Sequence, residues 1–187
     1  MQQQTDKSSV EKLLVSRRDL RGISNGYIQL EGHIVIEQYQ IKEHIHITVF
    51  NNFQRDEANT VTMQLDCLKL RSLIIALKVL QKNKIANDFR LVTGSNNFMK
   101  ALTLGHKLRD GKDNDKKPIR VDTYFINMRD PVKQFGVAFD RYQMAALPDL
   151  MTNFCNDLEN RVNSATEESS RKKMELQKSR QEDRVGE

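Results

Sequence analysis

Two stretches of this chain, 74 residues apart, follow the same order of residue types, and that repeat limits the fold more than any other feature. The first reads HIHITVF, a polar loop NNFQRDEAN, TVTMQL, Asp66 and then CLKLRSLIIALKVLQ. The second reads IRVDTYF, INMRDPVK, QFGVAF, Asp140 and then RYQMAALPDLMTNFCNDL. Superposed without a gap, Ile45 falls on Ile119, Ile47 on Val121, Val61 on Phe135, Leu65 on Phe139 and Asp66 on Asp140. Strict alternation of apolar residues marks strands with one buried face. The stripe Met144, Leu147, Met151, Phe154 and Leu158 marks an amphipathic helix. Each copy therefore predicts a hairpin that runs into a helix.

The aspartates explain where strand gives way to helix. A carboxylate at an N-cap accepts hydrogen bonds from the unpaired amides of the first turn and favours the positive end of the helix dipole. Gln143 completes a capping box with Asp140. Pro148 lies inside the second helix, where it removes one hydrogen bond and predicts a bend. Upstream, the first half offers strands at 27–30 and 33–39, joined at Glu31 and Gly32, and the second at 89–94 and 98–108. Ile28 on Leu102 and Leu30 on Leu104 keep the offset. The expected fold class is α+β: two repeats of a curved antiparallel four-stranded sheet followed by one helix, forming a pseudo-dimer. Its domain spans 23–163, with halves at 23–85 and 86–163. A polar, basic arm (1–22) precedes it, and a charged tail (164–187), disordered or a solvated helix, follows.

Composition narrows the function classes. At 187 residues with 38% hydrophobic side chains the chain suits one domain. No apolar run approaches the ~18 to 20 residues of a membrane span, and MQQQTDKSSVEK lacks the apolar stretch of a secretory signal. Cys67 and Cys155 lack metal-site or disulfide-framework spacing and read as buried thiols, so a cytoplasmic location is expected. A net charge of +5 leans toward a polyanionic partner. The tail is neutral by count and is no acidic hook, so that charge belongs to the rest of the chain. No GxSxG, Walker loop, HExxH or paired-carboxylate motif is present, and no enzyme or cofactor is expected. His44 and His46 in HIH share a strand face and could bind metal, but the sequence shows no third ligand at a recognisable spacing.

Two copies of four strands and a helix resemble the superfamily of the eukaryotic positive transcription cofactor and the plant Whirly proteins. The resemblance covers residues 23–162, rests on topology and on the strand-to-helix pattern, and lacks the lysine-rich Whirly motif. It implies a pseudo-dimer whose curved sheets grip single-stranded DNA, in replication, recombination or transcription, with a polymerase as a further partner. RNA or a protein partner is the alternative.

The residues supply candidates for that role. With Ile45, Ile47 and Val49 turned inward, His46 and Phe50 face out; with Ile119, Val121 and Thr123 inward, Arg120 and Tyr124 face out. An exposed aromatic beside a cation suits a single strand, because bases stack on the ring while the cation meets phosphate. The same aromatics could equally cover a sheet edge or a protein partner. Arg55, Arg129 and Lys133 lie in the hairpin loops, and Lys100, Lys107 and Arg109 surround the long loop after residue 108.

Overall fold

A computed structural model of the chain describes residues 11–23, 26–37, 40–50, 56–84, 89–112 and 114–185. In chain order the elements are β1 (Glu11–Arg21), β2 (Tyr27–Glu37), β3 (Gln40–Phe50), β4 (Thr60–Leu65), α1 (Cys67–Asn83), β5 (Arg90–Thr93), β6 (Lys100–Lys112), β7 (Pro118–Arg129), β8 (Gln134–Phe139) and α2 (Arg141–Val185). The strands make two antiparallel four-stranded sheets, β1-β2-β3-β4 and β5-β6-β7-β8, each followed by a helix. The α+β class and the strand count per half agree with the sequence pattern.

Two boundaries are corrected. Residues 27–30 and 33–39 are not separate strands: β2 runs through Glu31 and Gly32. The first strand lies instead at Glu11–Arg21, within what reads as a polar arm. Its pairing with β2 shifts register between Leu14 and Ser16, and that bulge breaks the two-residue period that would have revealed it.

The constant offset also fails at one strand of each half. Leu30 pairs with Ile47 as Leu104 pairs with Ile126, and Met63 pairs with Ile47 as Val137 pairs with Ile126. Thus β2 and β6, and β4 and β8, keep the 74-residue spacing, whereas the equivalent residues of β3 and β7 are 79 apart. Nine residues separate Phe50 from Thr60, but only four separate Arg129 from Gln134. The β7–β8 loop is therefore five residues shorter, and the β6–β7 arm is longer by the same amount. The two changes cancel by β8. Five is odd, so every side chain of β7 lies on the opposite face from the one an ungapped alignment gives it. Tyr124, not Ile119, takes the place of Ile45.

One apolar core joins both halves. Ile28, Leu30, Ile45, Ile47 and Met63 enter it from the first sheet, and Leu102, Tyr124, Ile126, Val137 and Phe139 from the second. Leu73 and Leu77 of α1 and Leu147 and Met151 of α2 are buried in the same core. The helices pack on each other and each reaches the other half's sheet, α2 touching β1, β2 and β3 while α1 touches β6. At Gly32 a Cβ would lie 3.1–3.2 Å from Leu158 and Phe154, so the bare backbone lets α2 sit close on β2. Arg71 of α1 grips Glu159 of α2 (Nη2 to Oε2 2.6 Å, Nε to Oε1 3.2 Å). No helix of the described residues is long and apolar enough to cross a membrane.

Both helix starts are capped as the sequence indicates. Asp66 accepts from the Lys69 amide at 2.7 Å, and Asp140 accepts from the Tyr142 and Gln143 amides at 2.8 Å. The Gln143 side chain returns a 3.2 Å bond from the Asp140 amide and also takes the Arg21 carbonyl as acceptor at 3.1 Å. α2 is continuous through Pro148. Past Val162 and Ala165, the last partly buried hydrophobics packed on the core, the helix is mostly exposed through Ser179.

Although its partial burial works the other way, the amide and ammonium of Lys69 hold the Asp66 carboxyl below the usual carboxylate range. A depressed carboxyl stabilises the fold above its unfolded-state value, near pH 4, and loses that effect as pH falls through the folded value. Asp66→Ala and Asp140→Ala should each lower unfolding free energy by about 1 kcal/mol at pH 7. In urea titrations the Asp66→Ala deficit should shrink as pH is lowered below about 4.

Candidate functional site

The inner faces are committed to the core, so chemistry is left to the outer faces, and these differ sharply. On the second sheet the outer residues of β7 are Thr123, Phe125, Asn127 and Arg129, beside Lys107 and Arg109 of β6 and Arg90 of β5. The Lys107 ammonium and the Arg109 guanidinium lie 5.0 and 4.9 Å from the centre of the Phe125 ring. Gly105 pairs directly with Phe125 and leaves bare backbone beside the ring. Arg90 and Arg129 together line two neighbouring shallow depressions at the other end of the face. Among the described residues none of these four cations is ion-paired to a carboxylate.

Lys107 and Arg109 begin a two-stranded arm. β5 pairs only with 100–103 of β6, and β8 only with 124–129 of β7, so residues 107–112 and 118–123 pair with each other alone. The strands thus take in 109–112 and 118 of what reads as one polar loop, and 114–117 are turn and irregular residues. Arg120 is exposed on its opposite face, across from Asp110. Where the ribbon meets the sheet, Asp122 accepts from Lys84 Nζ at 2.7 Å and lies 2.8 Å from His106 Nε2. These bonds, Lys84 first, hold its carboxyl below the usual range.

The outer face of the first sheet is closed upon itself. The rings of Tyr27 and Phe50 stack at 4.3 Å and 7°, and both residues are buried. Gln29 donates to Asp19 at 2.8 Å, and the Thr48 and Thr62 hydroxyls bond at 2.9 Å. Beyond them Glu31, His33 and His46 bring three ligand-type atoms within 4.8 Å of one another. Burial, then the charge of Lys12, lowers the pKa of His33; burial, then His33 and Lys12, lowers that of His46.

The expected site residues are therefore scattered. Phe50 is enclosed, and His46 is half-buried beside His33. The expectation that Tyr124 faces out is corrected: it is 3% exposed, inside the core, and burial raises its pKa. Lys100 donates to the Thr62 carbonyl at 2.6 Å, and Lys133 to the Glu57 carbonyl, so both link the two halves of the chain. Arg55 lies outside the described residues. Lys107, Arg109 and Arg129 do share one face, joined there by Arg90 and Phe125, which an ungapped alignment passes over. The missed signal is Asp130-Pro131. The Asp130 carboxylate accepts from the Val132 and Lys133 amides at 2.8 Å, closing a tight turn that a nine-residue loop does not match.

The cysteine reading holds: Cys67 and Cys155 are free and buried, and their mutual hydrogen bond, with burial, pushes the Cys67 thiol up. Comparison with known proteins assigns no relationship, since no family model matches the chain and no curated protein is significantly similar to it.

The facing of β7 is checked by stability. Tyr124→Ala should cost about 3 to 5 kcal/mol, as for a large core ring, and Phe125→Ala roughly 1 kcal/mol or less. Urea unfolding of the two variants should give that order; the reverse order would restore the ungapped register.

Proposed function

We propose that the outer face of β5–β8 binds single-stranded nucleic acid, and that the chain is a non-enzymatic single-stranded-DNA-binding protein of replication, recombination or transcription. The observation that carries this reading is the Phe125 ring under Lys107 and Arg109, with Arg90 and Arg129 at the other end of the face; among the described residues none of the four is ion-paired, although Asp130 lines the depression beside Arg90 and Arg129. A base stacking on such a ring gains ~1 to 3 kcal/mol with little regard to sequence. Lys107 and Arg109 swing on flexible stems from the ring to the flanking phosphates. Lys107 and Arg109 carry the positive track from the sheet onto the base of the ribbon.

The pseudo-dimer belongs to the same proposal. Both sheets have the same strand order. The helix contacts support a two-fold relation: Cys67 and Arg71 meet Cys155 and Glu159, while Arg141 and Ala145, 74 residues on, line one pocket with Gln81 and Lys84. In this arrangement the fold is similar to that of the transcription-cofactor and Whirly superfamily, with both subunits in one chain.

Fluorescence anisotropy with a labelled oligothymidylate across a salt series tests the proposal. Phe125→Ala should weaken binding by ~1 to 3 kcal/mol with little change in salt slope. Alanine at Arg90, Lys107, Arg109 or Arg129 should each flatten the slope by about 0.7. Duplex DNA should compete poorly, because paired bases hide their faces. Equal affinity for duplex, or unchanged binding by Phe125→Ala, would overturn the stacking mechanism, and preference for an RNA of the same sequence would assign RNA as the partner.

A further inference from the structure

The outer face of the first sheet carries a separate constellation that nucleic-acid binding does not use. Glu31 and His46 are direct cross-strand partners on β2 and β3, and His33 lies two residues beyond Glu31 on the same face. Two-residue spacing on one strand and direct pairing across the next place all three side chains together on rigid central strands. His33 Nε2 lies 3.7 Å from Glu31 Oε2, and the two imidazole rings are 4.9 Å apart.

His33 is only 9% exposed, and its Nε2 atom is buried with no hydrogen-bond partner. A buried polar nitrogen without a partner is destabilising, so its retention on this face calls for something that satisfies it. Arg17 Nη1 approaches Glu31 Oε1 at 3.9 Å from β1 and leaves Oε2 toward His33. An outer-shell cation holding one carboxylate oxygen orients the other. His44, opposite His33, is turned away to the Gln64 amide.

We propose that Glu31, His33 and His46 form a binding site for a divalent transition-metal ion of the zinc class. Two imidazoles and one carboxylate are the donors such an ion takes, at bonds of ~2.0 to 2.2 Å. Their ligand-type atoms already lie within 4.8 Å of one another, on side chains that can rotate toward a shared ion. Three protein ligands leave a fourth position for water or an exogenous ligand. The ion ties β2 to β3 and gives the orphaned His33 nitrogen its partner.

The test uses the full chain, stripped with chelator and titrated with Zn²⁺ by calorimetry and with Co²⁺ by absorption. One equivalent should bind, raise the melting temperature and give visible Co²⁺ bands without a thiolate charge-transfer band. His33→Gln and His46→Gln should each weaken binding by about 100-fold or more, at the limit of what losing an outer-shell partner does, while His44→Gln leaves it unchanged. Circular dichroism checks that the variants fold; if they do not, Co²⁺-induced shifts of the His33 and His46 ring signals in the native chain must appear. A thiolate band would place the ion at Cys67, Cys155 and Glu159, the other described cluster, and overturn the proposal. So would the absence of uptake, binding unchanged in both glutamine variants, or unshifted ring signals.

Discussion

A paired strand offers alternate side chains to opposite faces, and in each sheet of this protein one face is committed to the helices. Ile45, Ile47 and Val49 of β3 and Tyr124, Ile126 and Met128 of β7 meet that demand. Whatever remains on the outer face is free of the core and free to differ. At equivalent positions the first sheet carries Glu31, His33, His46 and Phe50, and the second Gly105, Lys107, Phe125 and Arg129. A common scaffold thus presents two unrelated surfaces.

The helices make those surfaces parts of one unit. Because α2 packs on β1–β3 and α1 reaches β6, neither half buries its apolar face without the other. The short Arg71–Glu159 pair and the buried thiols fix one end of the helix contact, and the Lys84–Asp122–His106 group ties the C-terminal end of α1 to the second sheet. Lys84 closes α1 in the left-handed region (φ 53°), where its amide donates to the Leu80 carbonyl at 2.8 Å. The Asp122 bond gives its side chain a role that glycine, the commoner residue there, could not fill.

Much of this architecture was legible in the sequence, because alternation, capping aspartates and helical stripes are local signals. Asp66 and Asp140 mark both helix starts, and the strand order within each half follows from short connections. What failed was long-range. The bulge at Leu14–Ser16 broke the period of β1, and the compensating length changes around β7 left the repeat offset intact on both sides of the strand they displaced. A gap that cancels itself is invisible to an offset, yet it exchanged Tyr124 for Phe125 on the outer face. The Glu31–His33–His46 cluster was half visible: HIH showed one strand's contribution, while the other two residues needed the pairing register of β2.

The contrast between the faces is also the ground for placing the proposed nucleic-acid site on only one of them. Tyr27 and Phe50 are stacked nearly parallel at 4.3 Å and both are buried, so neither ring offers a free face to a base. Around them Asp19 and Glu31 bring negative charge, with Arg17 drawn into pairing with both. A phosphate approaching Arg17 meets a guanidinium already engaged by two carboxylates. On the second sheet Phe125 has Lys107 and Arg109 over its ring, Asp110 and Asp122 project from the other face of the ribbon, and Asp130 at the Arg129 end makes no ion pair with either arginine among the described residues. Stacking surface and unneutralised charge therefore coincide on one sheet alone, and the odd-numbered shift in β7 is what brought them together.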